Sequence, residues 1–391
     1  MDLSVFAEGR DAEVFRRLRD EDPLHWNEEP GDGPGFWSVT RYEDVKAVAG
    51  DAATFTVTQG TQIPNRRAEG EGARSIHHVD PPEHGPLRKI VSPHMRATKV
   101  KQLEPDVIAV IDQLLDENLD KGSIDLVSHI TSQLPIVMIG RLLGAPLEDC
   151  PNLLRWTNQM ASEDPDYSEG PETAVKARGE VFEYFRKLEE ERRGCPMDDL
   201  VSILTAAELD GVPLSRGYLD AYYLILMVAG NETTRNLLSG GIQALHENPQ
   251  WWDYMRENPA KIRIVCEEMV RHVSPVLSMR RTATRDIELH GKTIKAGDKV
   301  VMWFRSANHD ERVFEDPATF RGDRHPNEHV GFGWGDHACL GSHLARMEAR
   351  AFFTRIIERG LKVNVLDEPA RLHSNFFRGI KRLPVEITSG R

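Results

Sequence analysis

A mainly α-helical fold with a minor β part is what this chain predicts, and three observations predict it. One candidate helix, "SRGYLDAYYLILMVAGNETTRNLLSGGIQALHENP", runs for about 34 residues, roughly 50 Å if continuous. From about Lys101 to Thr205, apolar residues recur at three- and four-residue spacing, as in "VIAVIDQLLDENLD" and "HITSQLPIVMIGRLL". Alternating, turn-punctuated stretches are confined to roughly 30–60, 280–305 and 361–391.

Taken in order, the first hundred residues mix short helical patterns with a strand-like "GFWSVTR" and a Gly-rich, charged loop, "TQGTQIPNRRAEGEGARSIHHVDPPEH". After the helical stretch, "CPMDDLVSILTAAELDG" reads as a capped helix ending at Gly211. The long helix follows, nearly all apolar from Tyr222 to Val228, which suits a central buried helix rather than a surface one. "NPAKIRIVCEEMVRHVSP" is another helix. "RRTATRDIELHGKTIKAGDKVVMW" alternates and turns like a small β-meander, with "HGK" and "AGD" as its turns. Residues 307–328 are irregular, a final helix follows Cys339, and "KVNVL" and "LPVEITS" close the chain as short strands.

The bulk properties narrow the function. With 391 residues, 40% hydrophobic and 28% charged, the chain has the composition of a soluble globular protein. A net charge of −13 disfavours nucleic acid as the main partner, because phosphate binding needs a basic face. No apolar run approaches the roughly 20 residues of a membrane span, and the start lacks the basic and apolar regions of a secretion signal. Cys150, Cys195, Cys266 and Cys339 are scattered and form no CxxC pair, so a disulfide framework is not expected and the cytoplasm is the expected compartment.

Only Cys339 sits in unusual surroundings, "FGWGDHACLG". "GWGDHA" fits a dinucleotide-binding glycine pattern, but no βαβ unit surrounds it. Zinc fails as well, since His337 and Cys339 have no second pair at structural-zinc spacing. A thiolate ligand to haem iron explains more. It pushes electron density onto iron and favours O–O cleavage, and a helix starting directly after Cys339 would supply backbone N–H groups and a positive dipole end. Gly333, Gly335 and Gly341 would let the backbone approach sulfur and porphyrin in conformations closed to other residues. A buried cysteine in a tight turn is the plainer alternative.

Phe332, Gly333, Gly335, His337, Cys339 and Gly341 reproduce F-G-x-G-x-H-x-C-x-G, and the chain thereby resembles the cytochrome P450 family. The resemblance implies the cytochrome P450 fold across residues 1–391 as one catalytic domain, helical over roughly 83–275 and 340–360. Haem b (iron protoporphyrin IX) would lie between the long central helix and the Cys-bearing loop and helix. Cys339 would be the proximal iron ligand, and His337 a contact to a haem propionate.

Other motifs gain meaning from that resemblance. "AGNETT" places Gly, a carboxylate and hydroxyls inside a buried apolar helix, which is locally costly. A threonine bonded back to its own helix, with Glu232 facing solvent, is the plain reading. The resemblance makes Glu232 and Thr233 an acid–alcohol pair, Glu232 relaying protons and Thr233 holding oxygen by a hydrogen bond, with Ala229 and Gly230 leaving room for O2. Glu268 and Arg271, an i, i+3 pair that bare physics would put on a surface, become the family's E-x-x-R pair. Arg324 joins them to brace the segment behind the haem. The family usually has Asp where this chain has Arg321. His84 and Arg88, in "DPPEHGPLR", and Arg281, in "MRRTATRD", match the family's propionate-binding positions.

By the same resemblance, the substrate pocket takes Leu224, Met227, Val228, Val276, Leu277, Met279, Phe376 and Phe377, strongly apolar positions with little to grip a charged group. The expected activity is a monooxygenase hydroxylating a hydrophobic small molecule, a terpenoid, steroid side chain, fatty acid or alkane, with O2. No flavin or iron–sulfur module is fused to the chain, so electrons would come from a ferredoxin and its NAD(P)H-dependent reductase. Lys89, Arg96, Lys99, Lys101, Arg346 and Arg350 would form the docking face. No nucleic acid and no membrane anchor are expected. A peroxide-driven hydroxylase would not need the acid–alcohol pair, and a haem-thiolate sensor has no need of a proton relay. A nicotinamide dehydrogenase would show no haem absorbance.

Overall fold

The apolar run around Tyr222 lies inside, as a stretch without a polar face must. In this computed structural model, which describes residues 2–31, 33–64, 75–161, 166–167 and 170–390, the long helix is one unbroken element, Arg216–Glu247, of 32 residues. Ser215 caps its start by accepting from the Tyr218 N–H, and Asn248 and Pro249 end it. Helices packed against it include Gln133–Leu143, Cys150–Ala161, Pro171–Gly194, Ile262–Val273 and Ser342–Glu358.

Two apolar cores meet on this helix. Leu219, Tyr222, Tyr223, Leu226 and Met227 belong to one, with Val181, Phe185, Leu200 and Leu204. Leu237, Leu238, Ile242 and Leu245 belong to the other, with Leu115, Met269, Phe352 and Phe353. Each fully buried large side chain contributes on the order of 2 kcal/mol, so the helix is fixed firmly at both ends. "AGNETT" falls between the two cores. Polar residues there cost little packing, because neither core claims those positions.

The β part forms a five-stranded sheet in the order Leu24–Asn27, Phe36–Val39, Lys299–Trp303, Ser278–Ala283, Phe55–Thr56. Phe36–Val39 and Lys299–Trp303 pair in parallel and the other neighbours are antiparallel. Leu361–Val365 and Pro384–Ser389, the two expected closing strands, pair antiparallel, and Ser123–Asp125 joins them from inside the helical region. The meander expected after Arg280 is realised, with Ile287–Leu289 and Lys292–Ile294 as its small outer hairpin.

Two expectations are corrected. The helix read as ending at Gly211 stops at Ala206, capped at its start by Asp199, which accepts from the Ser202 N–H at 2.7 Å. Asp210 and Gly211, both at positive φ, then turn a hairpin of Glu208–Leu209 with Val212–Pro213. The strands Leu24–Asn27 and Ser123–Asp125 lie outside the segments expected to be β. Each is short, and only its partner strand stabilises it. Residues 65–74 of the Gly-rich charged loop lie outside the described residues. Among the described residues, no helix is long and apolar enough to cross a membrane.

Candidate active site

The segment 332–341 is held as a tight loop by its own backbone. Gly333 N–H donates to Val330 C=O at 2.9 Å, Ala338 N–H to Gly335 C=O at 3.0 Å, and Cys339 N–H to Phe332 C=O at 2.8 Å. Gly333 and Gly335 sit at φ +72° and +71°. At Gly335 a Cβ would also lie 2.7 Å from the Ala49 carbonyl oxygen, so no other residue fits. Gly341 departs from the expectation: its φ is −85° and an added Cβ meets nothing within 4 Å. Its use is space, because it lines the cavity, and its N–H serves the Cys339 sulfur. The helix does not follow Cys339 directly either; it starts at Ser342.

Cys339 opens into a cavity of about 1360 Å³ lined mostly by apolar side chains. Its thiol lines that cavity, with protein packed around it in depth. Burial therefore pushes its pKa up, opposed by the Gly341 N–H and by the charges of Arg88 and Arg346. Phe332, Leu340, Leu344 and Ala345 form the wall around the sulfur. Ala229, Gly230 and Thr233 of the long helix line the cavity as well.

Thr233 faces this space while its hydroxyl donates to the Ala229 carbonyl at 2.8 Å, so its lone pairs remain available. Glu232 does not line the cavity. It is 1% exposed and ion-paired with the equally buried Arg235, whose Nη1 donates to Asn158 at 2.9 Å. Burial raises the Glu232 pKa, and Arg235 offsets only part of that. Glu232 Oε1 has no hydrogen-bond partner among the described residues. The solvent-facing glutamate of the plain sequence reading is thus excluded.

Cationic and histidine side chains gather on one side of the cavity. Arg88 Nη2 donates to the Ala338 carbonyl at 2.6 Å, and the His84 and His337 rings lie 4.3 Å apart. Arg281 is 5% exposed and lines the cavity, as all four residues do. Its neighbour Arg280 points the other way, as alternation along the strand requires. Burial, followed by Arg281, His84 and Arg88, holds the His337 pKa down to about 3, and burial brings Arg281 down to about 10. His337 Nε2 is buried without a partner among the described residues. Buried donors and charges left uncompensated call for anions. Two porphyrin carboxylates placed there, with the macrocycle against Cys339 and the apolar walls, fit this donor set.

Glu268 and Arg271 are both 0% exposed, the reverse of a surface pair. Arg271 grips Glu268 through Nε at 2.8 Å and Nη2 at 2.7 Å, and also donates to the carbonyls of Asn308 and Pro317. Arg324 completes the triad at 3.1 Å and reaches the carbonyls of Glu315, Asp316 and Thr319. An irregular segment, 308–328, is thereby tied by side chains in place of ladder hydrogen bonds. Arg321 contributes only its backbone N–H to Glu268, at 3.0 Å, while its side chain faces outward to Glu315 and Asp323.

Of the expected pocket residues, Leu224, Val228, Val276, Met279, Phe376 and Phe377 line the cavity. Met227 and Leu277 do not: Met227 is 0% exposed within the core beside Tyr223, and Leu277 packs with Phe6 and Trp303. Adjacent positions on a helix or strand face different ways, so not all of a contiguous run could reach the cavity.

Sequence reasoning missed His77 and His78, which line the cavity beside the cationic cluster. It also missed Glu348, a carboxyl 1% exposed on the helix Ser342–Glu358. Leu344 and Phe352, four residues either side of Glu348, marked it as an acid on an apolar helix face. Burial pushes Glu348 up to about 8, with the Thr234 hydroxyl opposing, so it is protonated at neutral pH. Between the ordinary carboxylate pKa of about 4.3 and that value, the folded chain holds a proton the unfolded chain lacks. Glu348 therefore makes stability fall as pH rises from about 4.3 to about 8. Glu348→Gln removes that slope, and thermal melts should show the variant gaining several degrees on the parent at pH 8 relative to pH 5. Parallel pH profiles of the two proteins would refute this.

The expected docking face divides in two. Arg346 is held by Glu267 at 2.6 and 3.0 Å and lies over the Phe332 ring, and Arg350 is held by Glu104. Lys89, Arg96, Lys99 and Lys101 are exposed.

Comparison with known proteins agrees with this geometry. The cytochrome P450 family model matches residues 172–371. The chain is 36% identical to linalool 8-monooxygenase of Pseudomonas putida, covering 96% of this chain and 95% of that one. It is 37% identical to steroid C26-monooxygenase of Mycobacterium tuberculosis, covering 99% and 92%. A cytochrome P450 of Mycobacterium marinum, solved in complex with pseudoionone, superposes with a TM-score of 0.91 at 33% identity, over 98% of this chain and 97% of that one.

Proposed function

The chain belongs to the cytochrome P450 family, whose members are haem b monooxygenases, and on that premise we propose that it hydroxylates an aliphatic terpenoid, steroid side chain or fatty acid with electrons from a ferredoxin. The observation that carries the reading is the Cys339 thiol opening into a large apolar cavity that Thr233 also lines. When bound, haem supplies the iron centre at which O2 is reduced, one oxygen atom entering a C–H bond and the other leaving as water.

The chain's own residues supply the rest. Cys339 would hold the iron as thiolate. Arg88 and Arg281 would neutralise the porphyrin carboxylates, and His84 and His337 would donate hydrogen bonds to them, together fixing its orientation. Glu232, buried on the long helix and ion-paired with Arg235, relays protons toward the Thr233 hydroxyl on the cavity side. Phe376, Phe377, Val276, Met279 and Leu224 exclude water and present the substrate's carbon skeleton. The exposed Lys89, Arg96, Lys99 and Lys101 favour an acidic electron carrier, and the protein works in the cytoplasm.

The test is a binding screen of the ferric holoenzyme with terpenoids, steroids, fatty acids and aromatic acids. The first three classes should shift the haem band, and a binder turned over with NAD(P)H, ferredoxin and reductase should yield a hydroxylated product. A shift with aromatic acids alone, or consumption of NAD(P)H without product, would overturn the reading.

A further inference from the structure

Among the described residues the cavity carries four charged lining residues, Arg88, Arg178, Asp220 and Arg281, and three of them are accounted for. Arg88 and Arg281 belong to the cationic cluster beside Cys339. The Asp220 carboxylate is met by Arg216 at 2.7 Å and Arg186 at 3.5 Å, so it presents little net charge to the cavity. Arg178 is left. It makes no hydrogen bond or ion pair among the described residues, whereas Arg186, Arg192 and Arg193 on the same helix, Pro171–Gly194, each meet a carboxylate.

Placement makes that cation useful. Ala174, Val175, Arg178 and Phe182 all line the cavity, so this side of the helix is apolar apart from one guanidinium. Arg178 is half-buried and Val175 is 58% exposed, which puts this face at the cavity's solvent edge. A half-buried guanidinium beside apolar surface is a preformed fork for a carboxylate, the planar anion it bonds through two parallel N–H groups.

We propose that the substrate is a long-chain carboxylic acid whose carboxylate Arg178 binds at the cavity rim, its hydrocarbon tail filling the apolar interior. This narrows the substrate class of the monooxygenase reading and rests on it. With the acid end held at the rim, oxidation falls on the tail, away from the carboxylate. A neutral terpenoid would leave Arg178 without a partner and gain nothing from it.

The test compares laurate, 1-dodecanol and methyl laurate as ligands of the ferric holoenzyme, by haem-band titration and calorimetry. Laurate should bind about tenfold tighter than either neutral analogue, the size of effect a partly desolvated charge-assisted pair gives. Arg178→Gln should abolish that preference while leaving the affinity for 1-dodecanol within about twofold, and Arg178→Lys should keep part of it. Haem content and the carbon monoxide band of each variant report folding and the thiolate site separately from the substrate question. Equal affinities in the parent, a preference that survives Arg178→Gln, or no binding of laurate at all would each overturn the proposal. With an intact carbon monoxide band, any of them leaves the monooxygenase assignment standing; loss of that band in the parent sinks the assignment first.

Discussion

Cys339→Ser is expected to abolish the long-wavelength absorbance of the reduced, carbon monoxide-bound protein and to reduce hydroxylation to background. Among the described residues the sulfur is the one thiol facing the cavity: Cys150 and Cys266 are buried elsewhere and Cys195 is on the surface. Serine keeps the loop's size and its backbone hydrogen bonds to Phe332 and Gly335, so the loop should still form. The cationic cluster and apolar walls should retain some haem, held with a different axial donor. What disappears is thiolate electron donation, and with it O–O cleavage. Retention of the long-wavelength band in Cys339→Ser would mean that another residue holds the iron.

Thr233→Ala comes second in size. NAD(P)H consumption should continue within a few-fold of the parent, while the fraction of electrons recovered as hydroxylated product collapses and hydrogen peroxide appears. The hydroxyl faces the cavity and its only hydrogen bond among the described residues is to the Ala229 carbonyl, so alanine costs the helix little. Its companion, Glu232→Gln, should lower turnover by roughly 10²-fold, the usual scale of a lost proton donor. That variant strips Arg235 of its carboxylate in a fully buried site, a loss of about 3–5 kcal/mol. Turnover must therefore be compared well below the melting temperature of the variant. Unchanged coupling in Thr233→Ala would remove that residue from the chemistry.

Legibility in the sequence followed the range of the forces involved. The long helix was visible because its apolar run and its Ser215 and Pro249 boundaries are local. The cysteine loop was visible because glycine at 333 and 335 is a backbone necessity that any reader of the sequence can see. Glu268 and Arg271 were legible as an i, i+3 pair, yet their burial was not, because it depends on Arg324 and Asn327 more than fifty residues away. Arg178 resembled its paired neighbours until the positions of Glu189, Asp199 and Asp220 were known. Met227 and Leu277 were misplaced for a related reason: apolarity says that a side chain is covered, not by what.

By itself, the sequence determined the helical class of this protein and marked out the glycine-rich loop at Cys339 and the polar break at Glu232 and Thr233, since each is written in contiguous residues whose chemistry is local. Only the tertiary structure decided that Glu232 turns inward to Arg235, that His77, His84, Arg281 and His337 converge on one side of the cavity, and that Glu348 is buried. These outcomes depend on desolvation and on partners brought together across hundreds of residues, and both arise only when the chain closes on itself.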